Sequence, residues 1–234
     1  MKAMEKSYSF VFKNLLKTIN PVKKRIKKAE CIVHIFINNQ AVIILENDGH
    51  NETSELMKKY IEHINEGVVF ADQDLKSSNH FYNPHRQKGL YGSENAKSEC
   101  IRYYNNALEE YESGNIEKAM FYLGAACHLI QDLTVPQHAT VKLLNRHKSY
   151  ENWVIRTHRY YDEFTVSKGG IYFDYLVDYI EYNSREAIKI HMKNLHVENR
   201  QVRFHRISSK GLTMAQSTTA GVMETFFRDT QKYR

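Results

Sequence analysis

Residues 121–151 read FYLGAACHLIQDLTVPQHATVKLLNRHKSYE, and this stretch decides the fold and the chemistry together. His128 and Asp132 stand four apart in a run of helical period, so both side chains leave one face a turn apart, as two ligands of one metal must. His147 and Glu151 repeat that spacing. Between the pairs, Val135-Pro136-Gln137-His138 interrupts the helix, because a proline disfavours the helical conformation at the residue before it, and the break brings in another imidazole. Nitrogen and carboxylate ligands without thiolate suit zinc kept hydrolytically active. One His/Asp pair at this spacing is ordinarily a surface pair. Two pairs joined by Pro-x-His, drawn from only twelve histidines, mark a metal site.

The rest of the chain is consistent with a helical setting for that site. Its 234 residues can bury one substantial core, and only three prolines and ten glycines punctuate them. Lys, Glu, Ala and Leu are plentiful, which favours helices over short strands. No apolar run approaches the ~20 residues that cross a bilayer. Cys31, Cys100 and Cys127 are odd in number and widely spread, so they do not describe a disulfide framework, and Cys127 reads as a small core residue. The formal charge of +6 favours anionic partners, whether phospholipid headgroups or nucleic acid, and does not choose between them.

In chain order, residues 5–19 form a short amphipathic helix, with no uninterrupted apolar core of a signal peptide behind the first lysines. The KKRIKK run at 23–28 is read first as a solvated face, with a lipid-surface or processing role as the alternative. Residues 31–45 are apolar all round, as in a buried helix, and His34 within them reads on its own as a hydrogen-bonded core residue. Asp48 and Gly49 end that helix, and a single helix is expected over 53–70, with Leu56, Tyr60, Ile61, Ile64 and Val68 inward. It runs into Asp72 and Asp74, which stand equally well as ligands or as solvated acids. The loop Asn79-His80-Phe81-Tyr82-Asn83-Pro84-His85 suits the lip of a site. A helical hairpin is expected at 94–112 and 115–132, broken at Ser113-Gly114, with Asn115 as the second N-cap and Met120, Leu123, Cys127 and Ile130 facing the core. Further helices are expected near 149–164, 171–190 and 209–230, the last two separated by the polar stretch 197–209. The expectation is a basic segment at 1–30 followed by one all-α, compact multi-helical domain of roughly eight helices at 31–234.

Taken in order, His34-Ile-Phe-Ile-Asn-Asn-Gln-Ala, Ala71-Asp72, His80-Phe-Tyr-Asn-Pro, Phe121-Tyr-Leu-Gly with His128 and Asp132, Pro136-Gln-His138, and His147-Lys-Ser-Tyr-Glu151 resemble the zinc-dependent bacterial phospholipase C family. Thr219-Ala220-Gly221 with Phe226-Phe227 is similar to that family's last helix. The resemblance runs from about residue 31 to 230 and reverses the reading of His34, which it makes a ligand. It implies a trinuclear zinc site in an all-helical domain. By position, Asp72, His80, His128 and Asp132 correspond to the ligands of one zinc, and His138, His147 and Glu151 to those of a second. Asp132 would bridge to a third zinc bound by His34. In the family an N-terminal tryptophan exposed by processing completes that third site. Here the one tryptophan is Trp153, about thirty residues precede His34, and no secretion signal is recognisable. The alternatives are a thiolate from Cys31, an amine exposed by cleavage in the basic run, or a site of two zincs.

The resemblance implies hydrolysis of a glycerophospholipid by zinc-activated water to diacylglycerol and a phosphorylated headgroup, with Asp72 as ligand and general base and the protein acting as a monomer at a membrane surface. Choline-preferring relatives carry aromatics where this chain has Ser77 and Gln73, so a choline preference does not carry over. The sequence ends where the helical domain ends, without the β-sandwich of the toxin-type relatives, so interface binding is expected of the helical domain itself. A cytoplasmic location is permitted by the missing signal, whereas the family is usually secreted. Two other readings stand beside this one. A single-strand-specific zinc nuclease shares the fold and would need Phe81, Tyr82 and Trp153 as base-stacking surfaces. A non-catalytic zinc-binding relative is the third.

Overall fold

The computed structural model describes residues 31–73, 77–90, 94–141 and 147–232, and only the backbone of Gln73, Ser77, Ser78 and His147. The expected helix at 5–19, the basic run and Asp74 lie outside the described residues. Nine α-helices and no strands fill the described chain: α1 (Ile32–Asn47), α2 (Asn51–Lys59), α3 (Ile61–Gln73), α4 (Ala96–Glu112), α5 (Ile116–Asp132), α6 (Pro136–Thr140), α7 (His147–Thr157), α8 (Leu176–Lys193) and α9 (Arg200–Gln231). The all-α domain expected from the sequence is what is seen.

Helix α5 lies at the centre. Apart from Tyr122 it is buried from Ala119 to Asp132, on every face, so the four-residue stripe read from the sequence understates its role. Small residues make this possible. A Cβ on Gly124 would stand 1.9 Å from the Ile64 carbonyl oxygen, and one on Gly67 would stand 1.8 Å from that of Phe121, so α3 and α5 meet backbone to backbone. Helices α1, α4, α8 and α9 contribute the rest of a core that includes Leu45, Tyr104, Tyr179 and Phe226. A second apolar cluster, with Phe36, Tyr150, Phe164 and Phe204, ties α7 to α1 and α9.

Several boundaries differ from expectation, the first two for tertiary reasons. The helix expected over 53–70 breaks at Tyr60, whose φ of −115° and ψ of 18° leave the helical range. Its two halves bury against different partners: Thr53 on α2 donates to Glu224 of α9 at 2.6 Å, whereas α3 is pinned flush to α5 by the two glycines. Helix α9 begins at Arg200, inside the stretch expected to be a polar spacer. Asn199 caps it by accepting from the amides of Gln201 and Val202, and Phe204 and Ile207 bury one side while the charged residues face water. Helix α7 stops at Thr157 and gives way to a 3-10 turn at Asp162–Phe164, and α8 starts at Leu176 rather than near 171. Asn115 does sit at the N-cap of α5, but its side chain makes no cap and donates to Glu110 instead. The working cap is Asn95, which accepts from Lys97 and Ser98 at the start of α4.

Candidate metal centre

Helix α5 ends at Asp132 because Val135 takes an extended conformation (φ −87°, ψ 121°) and Pro136 opens the short helix α6. That break turns the chain back so that His138 faces the end of the helix it has just left. Helix α1 delivers His34, the 3-10 turn Ser77–His80 delivers His80, and all of them converge on Asp132. One Asp132 carboxylate oxygen lies 2.9 Å from His80 Nδ1, 3.3 Å from His128 Nε2 and 3.8 Å from His138 Nδ1; the other lies 3.6 Å from His34 Nε2. Four imidazoles thus ring one buried carboxylate.

The spacing fits a small divalent cation. His80 Nδ1, His128 Nε2 and Asp132 Oδ2 form a triangle with edges of 2.9, 3.3 and 3.4 Å. Tetrahedral zinc with bonds of ~2.1 Å has ligand atoms about 3.4 Å apart. His34, His128 and Asp132 form a second group whose ligand atoms lie within 4.8 Å of one another. His128 is 1% exposed, and its Nδ1 has no hydrogen-bond partner, so this buried ring is held by the cluster it faces and not by the surrounding fold.

Electrostatics tie the same groups together. Burial works to raise the Asp132 carboxyl, but His128 and His138 outweigh it and hold the group well below the usual carboxylate range. Burial and then the neighbouring His128 push His34 down, towards the neutral, metal-competent imidazole. For His138, burial is outweighed by Asp132 and Glu151, which raise it.

Other residues singled out from the sequence fall around this cluster. Asp72, at the end of α3, is half-buried, accepts from Cys31 Sγ at 3.4 Å, and acts through space on both His34 and His128. Glu151 lies 3.9 Å from His138 Nε2 with 44% of its side chain exposed, so it stands at the rim. His147 begins α7 one turn before Glu151, and its side chain lies outside the described residues. The 79–85 segment is less of a lip than expected: Asn79, His80, Phe81, Tyr82 and Pro84 are buried, and only its His85 end is exposed. Cys100 and Cys127 are buried thiols of the core, Cys127 pushed up to about 12 by burial.

Sequence reasoning passed over Gln131. This residue is buried beside Asp132, and its amide nitrogen donates to Asn38 Oδ1 at 2.8 Å and to Thr219 Oγ1 at 3.2 Å. With both donors used, its oxygen accepts from His34 Nδ1 at 2.8 Å, leaving His34 Nε2 with its lone pair towards Asp132. His138 is oriented in the same way, because Nδ1 donates to the His80 carbonyl at 3.0 Å and leaves Nε2 for Glu151. The signal that could have found this network is the amide run Asn38-Asn39-Gln40 in the middle of a largely apolar helix, of which Asn38 is the buried member.

A helical scaffold that gathers imidazoles and carboxylates about one buried aspartate defines a His/carboxylate metal protein. The family model described as zinc dependent phospholipase C matches residues 33–204, and the chain belongs to that family. It is 32% identical to the phospholipase C of Listeria monocytogenes over 52% of this chain and 47% of that protein. It is 25% identical to the phospholipase C of Clostridium novyi over 88% of this chain and 61% of that one. In structure it is similar to the alpha toxin from Clostridium absonum, with a TM-score of 0.74 and 21% identity, covering 85% of this chain and 63% of the toxin. The chain therefore spans about half to three-fifths of the length of these relatives.

Proposed function

We propose that the protein is a zinc-dependent phospholipase C, hydrolysing the phosphodiester of glycerophospholipids to diacylglycerol and a phosphorylated headgroup. The observation that carries the reading is the Asp132 carboxylate ringed by His34, His80, His128 and His138 within a chain of this family. Two or three zinc ions would be held by Asp72, His80, His128 and Asp132, by His138, His147 and Glu151, and by His34 with Asp132. Bound zinc would polarise the phosphoryl oxygens and lower the pKa of water to about 7.

The protein's own groups supply position and proton transfer. Asp132 holds the imidazoles in register, and the Nδ1 hydrogen bonds of His34 and His138 fix which ring nitrogen each presents. Asp72, half-buried and accepting from Cys31 Sγ, is the carboxylate that would take a proton from water during in-line attack on phosphorus. Glu151 at the rim marks where a headgroup enters.

The nuclease reading draws less support. Phe81 is buried and stacked on His138 at 4.8 Å, Tyr82 is buried with its hydroxyl donating to Glu181, and Trp153 packs against Phe164 and Phe204. Phe81 and Tyr82 offer no open face for a base, and Trp153, partly buried, is engaged by Tyr161 as well. Release of phosphorylated headgroup from mixed phospholipid vesicles tests the proposal. Chelator-sensitive release that His128→Ala abolishes is expected; no release from protein that holds its zinc would overturn it.

A further inference from the structure

Helices α8 and α9 run antiparallel and are held together at Asn183–Thr218 (3.1 Å) and Tyr179–Thr225 (2.9 Å). Towards the end of α8 and the start of α9 they no longer fill the space between them. A cavity of about 720 Å³ opens there, walled by one face of each helix and by the segment 166–171. That segment is fixed in place, since Val166 N–H donates to Gln216 and Ile171 N–H to the Ser217 carbonyl. None of the metal-centre residues lines the cavity.

Its chemistry is two-sided. Val166, Ile171, Ile190 and Met214 make an apolar wall, while Lys168, Lys193, Arg206 and Lys210 supply cations. None of those four cations makes an ion pair among the described residues. One acid, Glu186, also lines the cavity and is paired with Lys189 at 2.6 Å; beside it Glu163 pairs with His205 at 3.0 Å, and Asp48 accepts from the amides of Gly169 and Gly170 and feels the charge of Lys168. Just outside, Met192 and Leu195 are 60% and 51% exposed at the end of α8. A volume of this size takes one small lipid. Lys193, Arg206 and Lys210, with Lys168 shared with Asp48, stand over an apolar wall and complement a phosphate that carries an acyl chain.

We propose that this cavity binds an acidic phospholipid, the phosphate on Lys168, Lys193, Arg206 and Lys210 and the acyl chain along Ile190 and Met214, as a membrane-anchoring site separate from the metal centre. It rests on the phospholipase reading for its use, not for its existence, and the test reads no turnover. The amide signals of Ser209, Thr213 and Met214 are followed by ¹⁵N spectroscopy of the zinc-loaded full chain. The chain is titrated separately with monomeric dihexanoyl phosphatidic acid, with glycerol 3-phosphate and with dihexanoylglycerol. Saturable shifts with phosphatidic acid, at least tenfold tighter than with either half-molecule, are expected. Lys193→Glu with Lys210→Glu, both exposed, removes two cations worth roughly fivefold each and weakens binding about 25-fold or more. Thr213→Trp, which fills the half-buried wall, abolishes binding, and all variants keep the zinc content and circular dichroism spectrum of the parent. The idea is overturned by equal affinity for glycerol 3-phosphate alone, which makes the cavity a plain anion site, or for dihexanoylglycerol alone. It is also overturned by binding that the double variant leaves unchanged, or by no shift at these amides.

Discussion

Replacing Gln131 by Leu keeps the volume of the side chain and removes every polar contact it makes. Asn38 Oδ1, fully buried, loses its donor, and His34 Nδ1, on a side chain 20% exposed, loses its acceptor; the Thr219 hydroxyl can turn to its own helix. The one fully buried group left unsatisfied, Asn38 Oδ1, costs about 1–3 kcal/mol, with a smaller loss at the partly exposed His34, enough to lower the melting temperature by several degrees. The more telling effect is on the metal. Freed from Gln131, His34 no longer has its Nδ1–H specified, and loss of such an orienting partner weakens metal binding by about 10–100-fold. Competition with a chromophoric zinc chelator measures that directly, and ¹⁵N shifts of the His34 ring report the tautomer in the same samples. If the melt falls while zinc competition and ring shifts match the parent protein, Gln131 is a packing residue and the reasoning about His34 fails.

Three other outcomes are expected. Asp72→Asn abolishes headgroup release while circular dichroism and the melting curve stay close to the parent, and full activity in that variant would remove Asp72 from the mechanism. Asp48 accepts from the Gly169 and Gly170 amides and the Tyr172 hydroxyl, and these outweigh the burial that works to raise its pKa, so the folded value lies below the unfolded one. Its contribution is therefore present above the unfolded pKa of about 3.9 and is lost as pH falls through the folded value. Asp48→Asn should then destabilise more at pH 7 than at the lowest pH at which the fold persists; equal losses at both would contradict this. Asn95→Ala removes the acceptor for the Lys97 and Ser98 amides and should cost about 1 kcal/mol in urea unfolding, with no change in zinc content.

Much of the centre could be read from local chemistry. The four-residue spacing of His128 and Asp132 needed only a helix to place both on one face, and Val135-Pro136 announced the turn that returns His138 to them. What stayed hidden depended on partners distant in sequence. Tyr60 gives no breaker signal, and the kink there exists because α2 and α3 answer to different neighbours. The start of α9 looked like a spacer because its charges are many, and only Phe204 and Ile207 meeting α7 show which side is buried. Gln131 was invisible for the same reason, since its partners Asn38 and Thr219 lie 93 and 88 residues away.

The close approach of Gly67 and Gly124 to the facing main chain has a consequence for how this protein can change. At Gly67 the helix that carries Asp72 meets the Phe121 carbonyl, and at Gly124 the helix that carries His128 and Asp132 meets the Ile64 carbonyl, so at these two points no side chain sets the spacing. Aliphatic residues elsewhere in the core can be exchanged for others of like volume, whereas any residue larger than glycine at either point must push the two helices apart. The ruler between them is drawn in backbone, with glycines as its graduation marks.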